Sequence, residues 1–353
     1  MPQVSVVIAT YNRAGFICDA IDSVLAQTFT DYEILVVDDG STDRTPQVLE
    51  KYGDRIRYFC QAHRWQAAAL NRGIRESRGT YIAFLDDDDI WLPDKLAVQM
   101  RFLQDHPSTG VVCSRAWSVN LQGEVVGLLQ KRNGNDGTFV SLYEQHCSDI
   151  VFASLVVRKE ILEEVGGLDE TLKSTQDFDL YLRLAKKHPV VYLDIPLLKY
   201  RWHHHTKTND KVQKCRDRLR VITKPEHMAH LTFLGRRIRI AKEYSFFAGA
   251  FKAIGDYRWT SRCYWRAVLS YPLVGAVYPP EETPRSWGQR PYQVLRAYGL
   301  AVYCSCQMLR AVVRPSLPGP PVPGERRAPG GNDPNEERTD PEHEERPEIC
   351  ARL

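Results

Sequence analysis

Four consecutive acidic residues restrict the possible folds of this chain more than any other feature of its sequence. Asp86 to Asp89 follow the apolar run 82–85, and Pro93 ends the segment shortly afterwards. Because adjacent carboxylates repel one another, this run opposes folding unless positive charge neutralises it. An acidic run without other motifs around it is most often a solvated turn before a helix. The surrounding sequence favours a functional site instead.

Short β-branched runs alternate with amphipathic segments through the N-terminal part of the chain. Runs with the length and composition of buried strands occur at 4–9, 33–37, 56–60 and 80–85, and helical patterns follow them at 15–27, 45–51, 66–77 and 93–104. Such alternation is typical of βαβ units. The sequence therefore predicts an α/β fold with a doubly wound, mostly parallel sheet flanked by helices.

Three of the predicted strands end in polar or acidic loops. The first ends at Thr10-Tyr11-Asn12, the second at Asp38-Asp39, and the fourth in the acidic run. Parallel strands bring such loops to one edge of the sheet, where open α/β sheets bind ligands. Carboxylate oxygens suit Mg²⁺ or Mn²⁺, which commonly bind one or two carboxylates plus substrate phosphates. We therefore predict one crevice for a metal and a phosphorylated ligand.

Two common phosphate-binding motifs are missing from the sequence. No G-x-G-x-x-G follows the first predicted strand, which counts against a dinucleotide-binding domain, and no P-loop sequence occurs. The phosphates must then be held mainly by a metal and by side chains.

The later part of the chain differs in composition from the first. Segment 209–314 is helical in pattern, basic and aromatic, and segment 315–353 contains nine prolines with nine acidic and five basic residues. Proline with dense charge is typical of disorder. We predict a catalytic domain at 1–208, a helical C-terminal extension at 209–314, and a disordered tail at 315–353.

The same part of the chain carries an excess of positive charge. Thirteen Lys or Arg residues and three acids lie between Lys199 and Lys242, and the apolar run 297–309 suits an interfacial or packed helix. Such a stretch either faces phosphates or an anionic membrane, or is the solvated face of helices. Nine scattered cysteines and the lack of a signal sequence or membrane span favour a cytoplasmic protein. We expect peripheral contact with the inner face of a membrane and no binding to nucleic acid.

Several separated segments occur in the order found in a known enzyme family. They are VSVVIATYNR at 4–13, LVVDDGSTD at 35–43, AALNRGI at 68–74, FLDDDDIWLP at 84–93, QDFDLYLR at 176–183 and YR-x-H at 200–203. On these segments the chain, over residues 3–208, resembles the family 2 glycosyltransferases of the GT-A fold. The resemblance implies metal-dependent transfer of a sugar, with inversion, from a nucleotide-diphosphate sugar such as a UDP-sugar. It also implies a glycan or lipid-linked acceptor hydroxyl, in cell-surface polysaccharide or glycolipid synthesis.

The resemblance assigns binding of the nucleotide-sugar to side chains that follow three of the strands. These residues are Thr10, Tyr11, Arg13, Asp39, Asp86 and Asp87. The first three line the base pocket, where Tyr11 can stack; Asp39 holds the base, and the other two acids lie near the ribose. The resemblance assigns Mg²⁺ or Mn²⁺ to Asp88, with His203 near the metal or the diphosphate.

Inversion requires a carboxylate that takes the proton of the attacking hydroxyl. The family usually has Glu-Asp at this position, and here the pair is Gln176-Asp177. We expect Asp177 to be the general base, although a carboxylate at a helix N-terminus is also favoured by the helix macrodipole alone. Another departure is Leu70, where many members carry Arg, and Arg64 is a candidate for supplying that charge.

Two other functions are compatible with parts of this pattern. A nucleotidyltransferase also combines an α/β sheet with acidic metal ligands, but it usually has a glycine- and lysine-rich loop that segment 10–15 does not supply. A catalytically inactive nucleotide-sugar-binding module is conceivable because of Gln176, whereas the presence of Asp39, Asp88 and Asp177 favours an enzyme.

Overall fold

The computed structural model describes residues 1–129, 138–144, 150–202 and 210–270, all within one compact unit. The predicted tail and the apolar run 297–309 lie outside these residues. The strands are β1 Val4–Thr10, β2 Tyr32–Asp38, β3 Arg57–Cys60, β4 Tyr81–Asp86, β5 Ile90–Trp91, β6 Val111–Val119, β7 Val125–Leu129, β8 Val156–Arg158 and β9 Val190–Arg201. The helices are α1 Ile17–Leu25, α2 Thr45–Leu49, α3 Trp65–Glu76, α4 Lys95–Asp105, α5 Phe139–Glu144, α6 Lys159–Glu164, α7 Gln176–Lys187, α8 Lys211–Ile222, α9 Pro225–Met228, α10 Phe233–Ala253 and α11 Tyr257–Ser270.

The strands form one mixed sheet in the order β3-β2-β1-β4-β8-β6-β9-β5, with β7 paired to β6. The pairs among β1 to β4 are parallel, as the sequence predicts, and so is the β6–β9 pair. The short strand β8 runs antiparallel to both β4 and β6. The parallel strands β1 to β4 and the segments that connect them therefore carry the sequence motifs up to residue 86, whereas the motif at 176–183 lies in α7 and that at 200–203 begins in β9.

Strand β1 lies at the centre of the parallel part and is buried along its whole length. Val7 and Ala9 face a core formed with α3 and α7, whereas Val4, Val6 and Ile8 face a second core formed with α1 and α4. A strand covered by helices on both faces reads as an unbroken apolar run, because each face needs apolar side chains. This explains why β1 is recognisable in the sequence.

Buried ion pairs join the C-terminal helices to one another, and the same arginines contact the sheet domain. Glu243 of α10 lies 2.6 Å from Nε of Arg218 in α8 and 2.8 Å from Arg239, with all three side chains almost fully buried. Arg239 also donates to the carbonyl of Tyr143, and the Arg218 guanidinium lies 4.2 Å from the ring centroid of Phe178 in α7. Removing one member would leave a buried charge, at a cost of about 3–5 kcal/mol.

The predicted helical character of the extension is confirmed for residues 211–270. The basic stretch, however, is not one solvated face, because Arg201, Arg218 and Arg239 lie inside the protein. Within the described part of the chain, no helix is long and apolar enough to cross a membrane.

Candidate active site

The strand ends that the sequence predicts to converge meet at one edge of the sheet. Register places Thr10 beside Asp38 and Ala9 beside Asp86. The N–H of Asp39 then donates to the carbonyl of Thr10 at 2.9 Å. The polar loops after β1, β2 and β4 are therefore held side by side by main-chain hydrogen bonds.

Asp39 is a buried carboxylate whose two oxygens have different surroundings. Its Oδ1 accepts hydrogen bonds from Nε2 of Gln61 at 2.8 Å and from the N–H of Arg64 at 2.9 Å. Its Oδ2 lies 2.8 Å from Nδ1 of His63, which also lies 3.2 Å from the Asp39 carbonyl, and among the described residues no donor is aligned with Oδ2. Oδ2 is therefore the oxygen that could accept an N–H of a ligand, if His63 moves aside.

A row of aromatic rings borders this carboxylate. Tyr11 stacks on His63 with ring centroids 4.2 Å apart, and His63 lies 4.9 Å from Trp65. The Lys173 ammonium lies 4.6 Å from the centroid of Trp65. Tyr11 is 37% exposed and Trp65 39%, so planar faces remain open for a ligand. The sequence prediction included Tyr11 but missed His63 and Trp65, whose only local signal is their proximity to each other.

The loop after β1 is tied to the loop after β2 and to the acidic run. Asn12, which has a left-handed backbone (φ 53°), accepts from the N–H of Thr42 through Oδ1. The N–H of Arg13 donates to the hydroxyl of Thr45, and its guanidinium Nε lies 3.6 Å from Oδ1 of Asp87. Arg13 thus partly neutralises the acids, and its position agrees with a nucleotide-binding role.

The acidic run forms a tight turn in which the last acid is structural. The N–H of Asp89 donates to the carbonyl of Asp86, and Oδ1 of Asp89 accepts from the N–H of Arg201 in β9. Burial, reinforced by the charges of Asp88 and Asp86, raises the pKa of the Asp89 carboxyl. Asp89, to which the sequence assigned no role, therefore anchors the turn, while Asp86, Asp87 and Asp88 remain partly exposed.

The donor set at this turn fits a metal whose coordination is completed by a ligand. Within the described ranges, no group of three or more His, Cys, Asp and Glu side chains is arranged to hold an ion. His203, the other predicted metal ligand, lies outside those ranges. Mg²⁺ usually takes only one or two carboxylates and completes its shell with phosphates and water. The partly exposed carboxylates of the turn suit that arrangement and do not form an all-protein cage.

Asp177 lies in the first turn of α7 with its carboxylate unengaged. The residue before the helix is Thr175, which has a left-handed backbone (φ 59°) and makes no side-chain capping bond. Across the described residues, Asp177 accepts no hydrogen bond and forms no ion pair, so helix capping by its side chain is not observed. Its carboxylate is only partly buried and can accept a proton from a ligand.

Two side chains connect Asp177 electrostatically with the rest of the crevice. Burial raises the pKa of the Tyr200 phenol, and the charges of Asp89, Asp86, Asp88 and Asp177 add to this effect. Burial lowers the pKa of the Lys214 ammonium in α8, and the negative charge of Asp177 partly opposes this. Asp177 and the acidic turn therefore share one electrostatic environment.

The other acids near the start of α7 are occupied. Oδ1 of Asp179 lies 2.6 Å from Nζ of Lys224, and Oδ2 accepts from Nε of Arg183 at 2.8 Å. Burial opposes ionisation of Asp169, but hydrogen bonds from Lys224 and Thr171 outweigh it and lower the pKa of Asp169 to about 2. These acids are engaged in structural ion pairs, so among the described acids near the start of α7, Asp177 remains the candidate base.

The departure at Leu70 and its candidate replacement Arg64 lie in different surroundings. Leu70 is buried in the core, at 1% exposure. The Arg64 guanidinium lies 3.0 Å from Glu170, and its side chain is 65% exposed. Arg64 is thus held at the rim of the crevice by its main-chain bond to Asp39, and its role toward phosphate stays a prediction.

The loop before α7 is held by a buried acid of the C-terminal helices. Oδ2 of Asp217 in α8, which is fully buried, accepts from the N–H groups of Lys173 at 3.0 Å and Ser174 at 2.9 Å. The next two residues of the chain lead directly into Asp177. The helical extension therefore positions the candidate base.

Comparisons with known proteins agree with this architecture. Residues 5–166 match the model of Glycosyl transferase family 2. An uncharacterized glycosyltransferase of Rickettsia typhi is 32% identical over 211 residues, which are 59% of this chain and 66% of that protein. The chain spans between 30% and 66% of the length of its Rickettsia relatives.

Two solved structures share the fold. Residues 1–349 of S. aureus TarS in complex with UDP-GlcNAc superpose with a TM-score of 0.59 at 16% identity, over 88% of this chain and 91% of that chain. The mannosyltransferase PcManGT from Pyrobaculum calidifontis, in complex with GDP-Man and Mn²⁺, gives a TM-score of 0.50 at 18% identity, over 86% and 87%. The GT-A fold predicted from the sequence is confirmed.

We predict that Asp217→Ala loosens the loop before α7. The substitution removes the acceptor of the part-buried hydrogen bonds from the N–H groups of Lys173 and Ser174, so the free energy of unfolding should fall by about 1 kcal/mol. Amide hydrogen exchange at these two residues should accelerate. Arg216→Ala, an exposed change on the same helix, is the control and should alter neither quantity. Unchanged exchange in Asp217→Ala would contradict the anchoring role.

Proposed function

We propose that this chain, which belongs to glycosyltransferase family 2, transfers a sugar with inversion from a UDP-sugar to an acceptor hydroxyl. The observation that carries the inverting mechanism is the Asp177 carboxylate at the start of α7, which makes no hydrogen bond or ion pair with the described residues and shares the electrostatic environment of the acidic turn. A donor held at the sheet edge would present its sugar between these two groups. The binding of UDP-GlcNAc by TarS supports a UDP-sugar as the donor.

The donor is held by groups on three loops. Oδ2 of Asp39 accepts an N–H of the base, and Tyr11 provides a planar face against it. Asp86 and Asp87 accept hydroxyl protons of the ribose. Arg13, which lies 3.6 Å from Asp87, keeps that carboxylate oriented and partly neutralised. Together these contacts fix the diphosphate at the acidic turn.

The transfer step forms one bond to the anomeric carbon and breaks another. The acceptor oxygen attacks from the face opposite the diphosphate, and Asp177 takes the hydroxyl proton as that bond forms. The bond from the sugar to the diphosphate oxygen breaks at the same time, and its electron pair leaves with the diphosphate. The sugar carries positive charge in the transition state, as in glycoside hydrolysis.

A divalent cation, Mg²⁺ or Mn²⁺, would be held by Asp88 together with the donor phosphates. When bound, it stabilises the negative charge that develops on the leaving diphosphate. The Mn²⁺ in the complex of PcManGT supports this choice of cofactor.

The acceptor is proposed to be a glycan or a lipid-linked sugar at the surface of a membrane. Three large apolar side chains are exposed at one end of the α10–α11 pair: Phe233 at 76%, Leu234 at 54% and Leu269 at 71%. Arg237 joins the two helices there by donating to the carbonyl of Leu269 at 2.8 Å. Exposed apolar groups with adjacent cations are typical of interfacial helices. These four residues are called the α10–α11 patch below.

Asp88→Ala should lose the metal-dependent turnover of the UDP-sugar. Removing the carboxylate should lower turnover of the UDP-sugar by a factor of about 10² to 10³, since charge on the leaving group is no longer compensated. Treatment of the wild type with EDTA should have a similar effect, reversed by Mn²⁺. Turnover and calorimetric Mn²⁺ affinity are the measurements. Asp105→Ala, an exposed acid of α4, is the control. Full activity of folded Asp88→Ala, or of metal-stripped wild type, would exclude this role.

Asp177→Asn should separate binding from catalysis. The substitution keeps the shape of the side chain and removes the proton acceptor, so turnover should fall by a factor on the order of 10² to 10⁴. Affinity for the UDP-sugar should survive, because Asp39 and the acidic turn hold the donor. Glu160→Gln, an exposed acid in the first turn of α6, is the matched control. Wild-type turnover by Asp177→Asn would remove this residue from the mechanism.

Membrane contact through the α10–α11 patch should depend on both charge and apolar area. Sedimentation with phosphatidylglycerol-containing vesicles should weaken as salt rises, since each basic side chain contributes about 1 kcal/mol at an anionic surface. The double variant Phe233→Ser/Leu234→Ser should bind about tenfold more weakly. Val126→Ser, which changes an equally exposed residue of β7, should bind like the wild type. Absence of binding at low salt would contradict the proposal.

A further inference from the structure

A chain of side-chain hydrogen bonds links α7 to the acidic turn. Nε2 of Gln176, the first residue of α7, donates to Oε1 of Gln66 at 2.9 Å. Nε2 of Gln66, in the first turn of α3, donates to Oδ1 of Asp86 at 3.0 Å. Three elements that are far apart in sequence are thereby joined directly beside Asp177.

The carboxylate at one end of this chain sets the orientation of both amides. An ionised carboxylate only accepts hydrogen bonds, so Gln66 must turn its NH₂ group toward Asp86. Its carbonyl oxygen then faces Gln176, which must donate. An ionised Glu at position 176 has no proton to donate, and it would place a negative charge against Oε1 of Gln66. The Gln at this position, a departure from the usual Glu-Asp pair, is therefore matched to Gln66.

In this orientation Oε1 of Gln176 has no partner among the residues that the structure describes. Gln176 is 8% exposed, and within those residues its buried Oε1 accepts no hydrogen bond. The same is true of the buried hydroxyl of the preceding residue, Thr175. A buried polar atom without a hydrogen bond costs about 1–3 kcal/mol, which a bound ligand can recover by supplying a donor. Gln176 immediately precedes the proposed base in the first turn of α7 and is joined through Gln66 to the acidic turn, so such a ligand would belong to the same crevice.

We propose that Oε1 of Gln176, held in place by Gln66, accepts a hydrogen bond from a hydroxyl or amide N–H of a sugar in the crevice. The pair thus forms a neutral subsite that contributes to sugar specificity, and this inference rests on the proposed function. The sugar is either that of the donor or the terminal unit of the acceptor, since both meet at the proposed base. A site of this kind discriminates against sugars that lack the donor group, because the amide oxygen then stays unpaired.

The test uses Gln176→Met, which keeps the length of the side chain and removes its polar atoms. UDP, UDP-glucose, UDP-galactose, UDP-GlcNAc and UDP-glucuronate are titrated calorimetrically into the full chain with Mn²⁺, and transfer is followed with the sugar that binds the wild type best. Affinity for UDP should not change. Loss of about 5- to 15-fold in UDP-sugar affinity places the contact on the donor sugar. If donor affinity is unchanged and the KM for the acceptor rises by about 5- to 15-fold instead, the contact is with the acceptor sugar. Gln122→Met, on an exposed loop, is the control.

A second variant separates the contact with sugar from the link to Gln66. Gln176→Glu keeps an oxygen that can accept a hydrogen bond from the sugar, but its carboxylate faces Oε1 of Gln66 and repels it. If the Gln66 amide rotates by 180° to donate to the new carboxylate, its oxygen then faces Asp86 and is repelled there. Gln176→Glu should therefore lower Tm more than Gln176→Met does, and weaken sugar binding less. Equal affinities and equal acceptor KM in the wild type and both variants would overturn the inference while leaving the proposed function intact. Failure of the wild type to bind any of the UDP-sugars would overturn the proposed function and this inference together.

Discussion

Buried carboxylates, which need hydrogen bonds in place of their water, hold the loops of the crevice in position. An ionised acid is stable inside a protein only when hydrogen bonds or opposite charges replace its water. Asp39 and Asp217 meet that requirement with two donors each, and Asp89 with one main-chain N–H and a raised pKa. Each of these acids holds a loop in place. Asp86, Asp87, Asp88 and Asp177 stay partly exposed, so their carboxylates can be reached by a ligand.

The helical extension belongs to the active site as much as the sheet does. The match to the family model ends at residue 166, before the proposed base, and the loop in front of Asp177 is fixed by Asp217 in α8. The buried pairs of Arg218 and Arg239 with Glu243 lock α8 and α10 together against α7. Because Asp217, Arg218 and Arg239 of the extension also contact the loop before α7, Phe178 and the carbonyl of Tyr143, the sheet domain and the extension depend on each other for their geometry.

The two halves of the crevice have different chemical character. Around Asp39 the walls are aromatic and the candidate acceptor is a carboxylate oxygen, which suits the flat face and N–H of a base. Around Gln176 the candidate acceptor, unpaired among the described residues, is a neutral amide oxygen, which suits the hydroxyls of a sugar without adding charge beside Asp177. The acidic turn lies between them and is linked to both, through Arg13 on one side and Gln66 on the other.

The sequence by itself determined the α/β class, the parallel strands β1 to β4, and the meeting of their polar ends. Buried strands need continuous apolar runs, and that pattern is local. The likeness of the sequence to a known family added the predictions of a GT-A fold and of Asp177 as the candidate base. The tertiary structure alone decided that Asp89 is structural, that Arg201, Arg218 and Arg239 are internal, and that His63 completes the aromatic wall. It also decided the orientation of Gln66 and Gln176, whose positions differ by 110 residues. Contacts between side chains so far apart leave no periodic pattern in the sequence, because their geometry arises only when the sheet and the helices have packed.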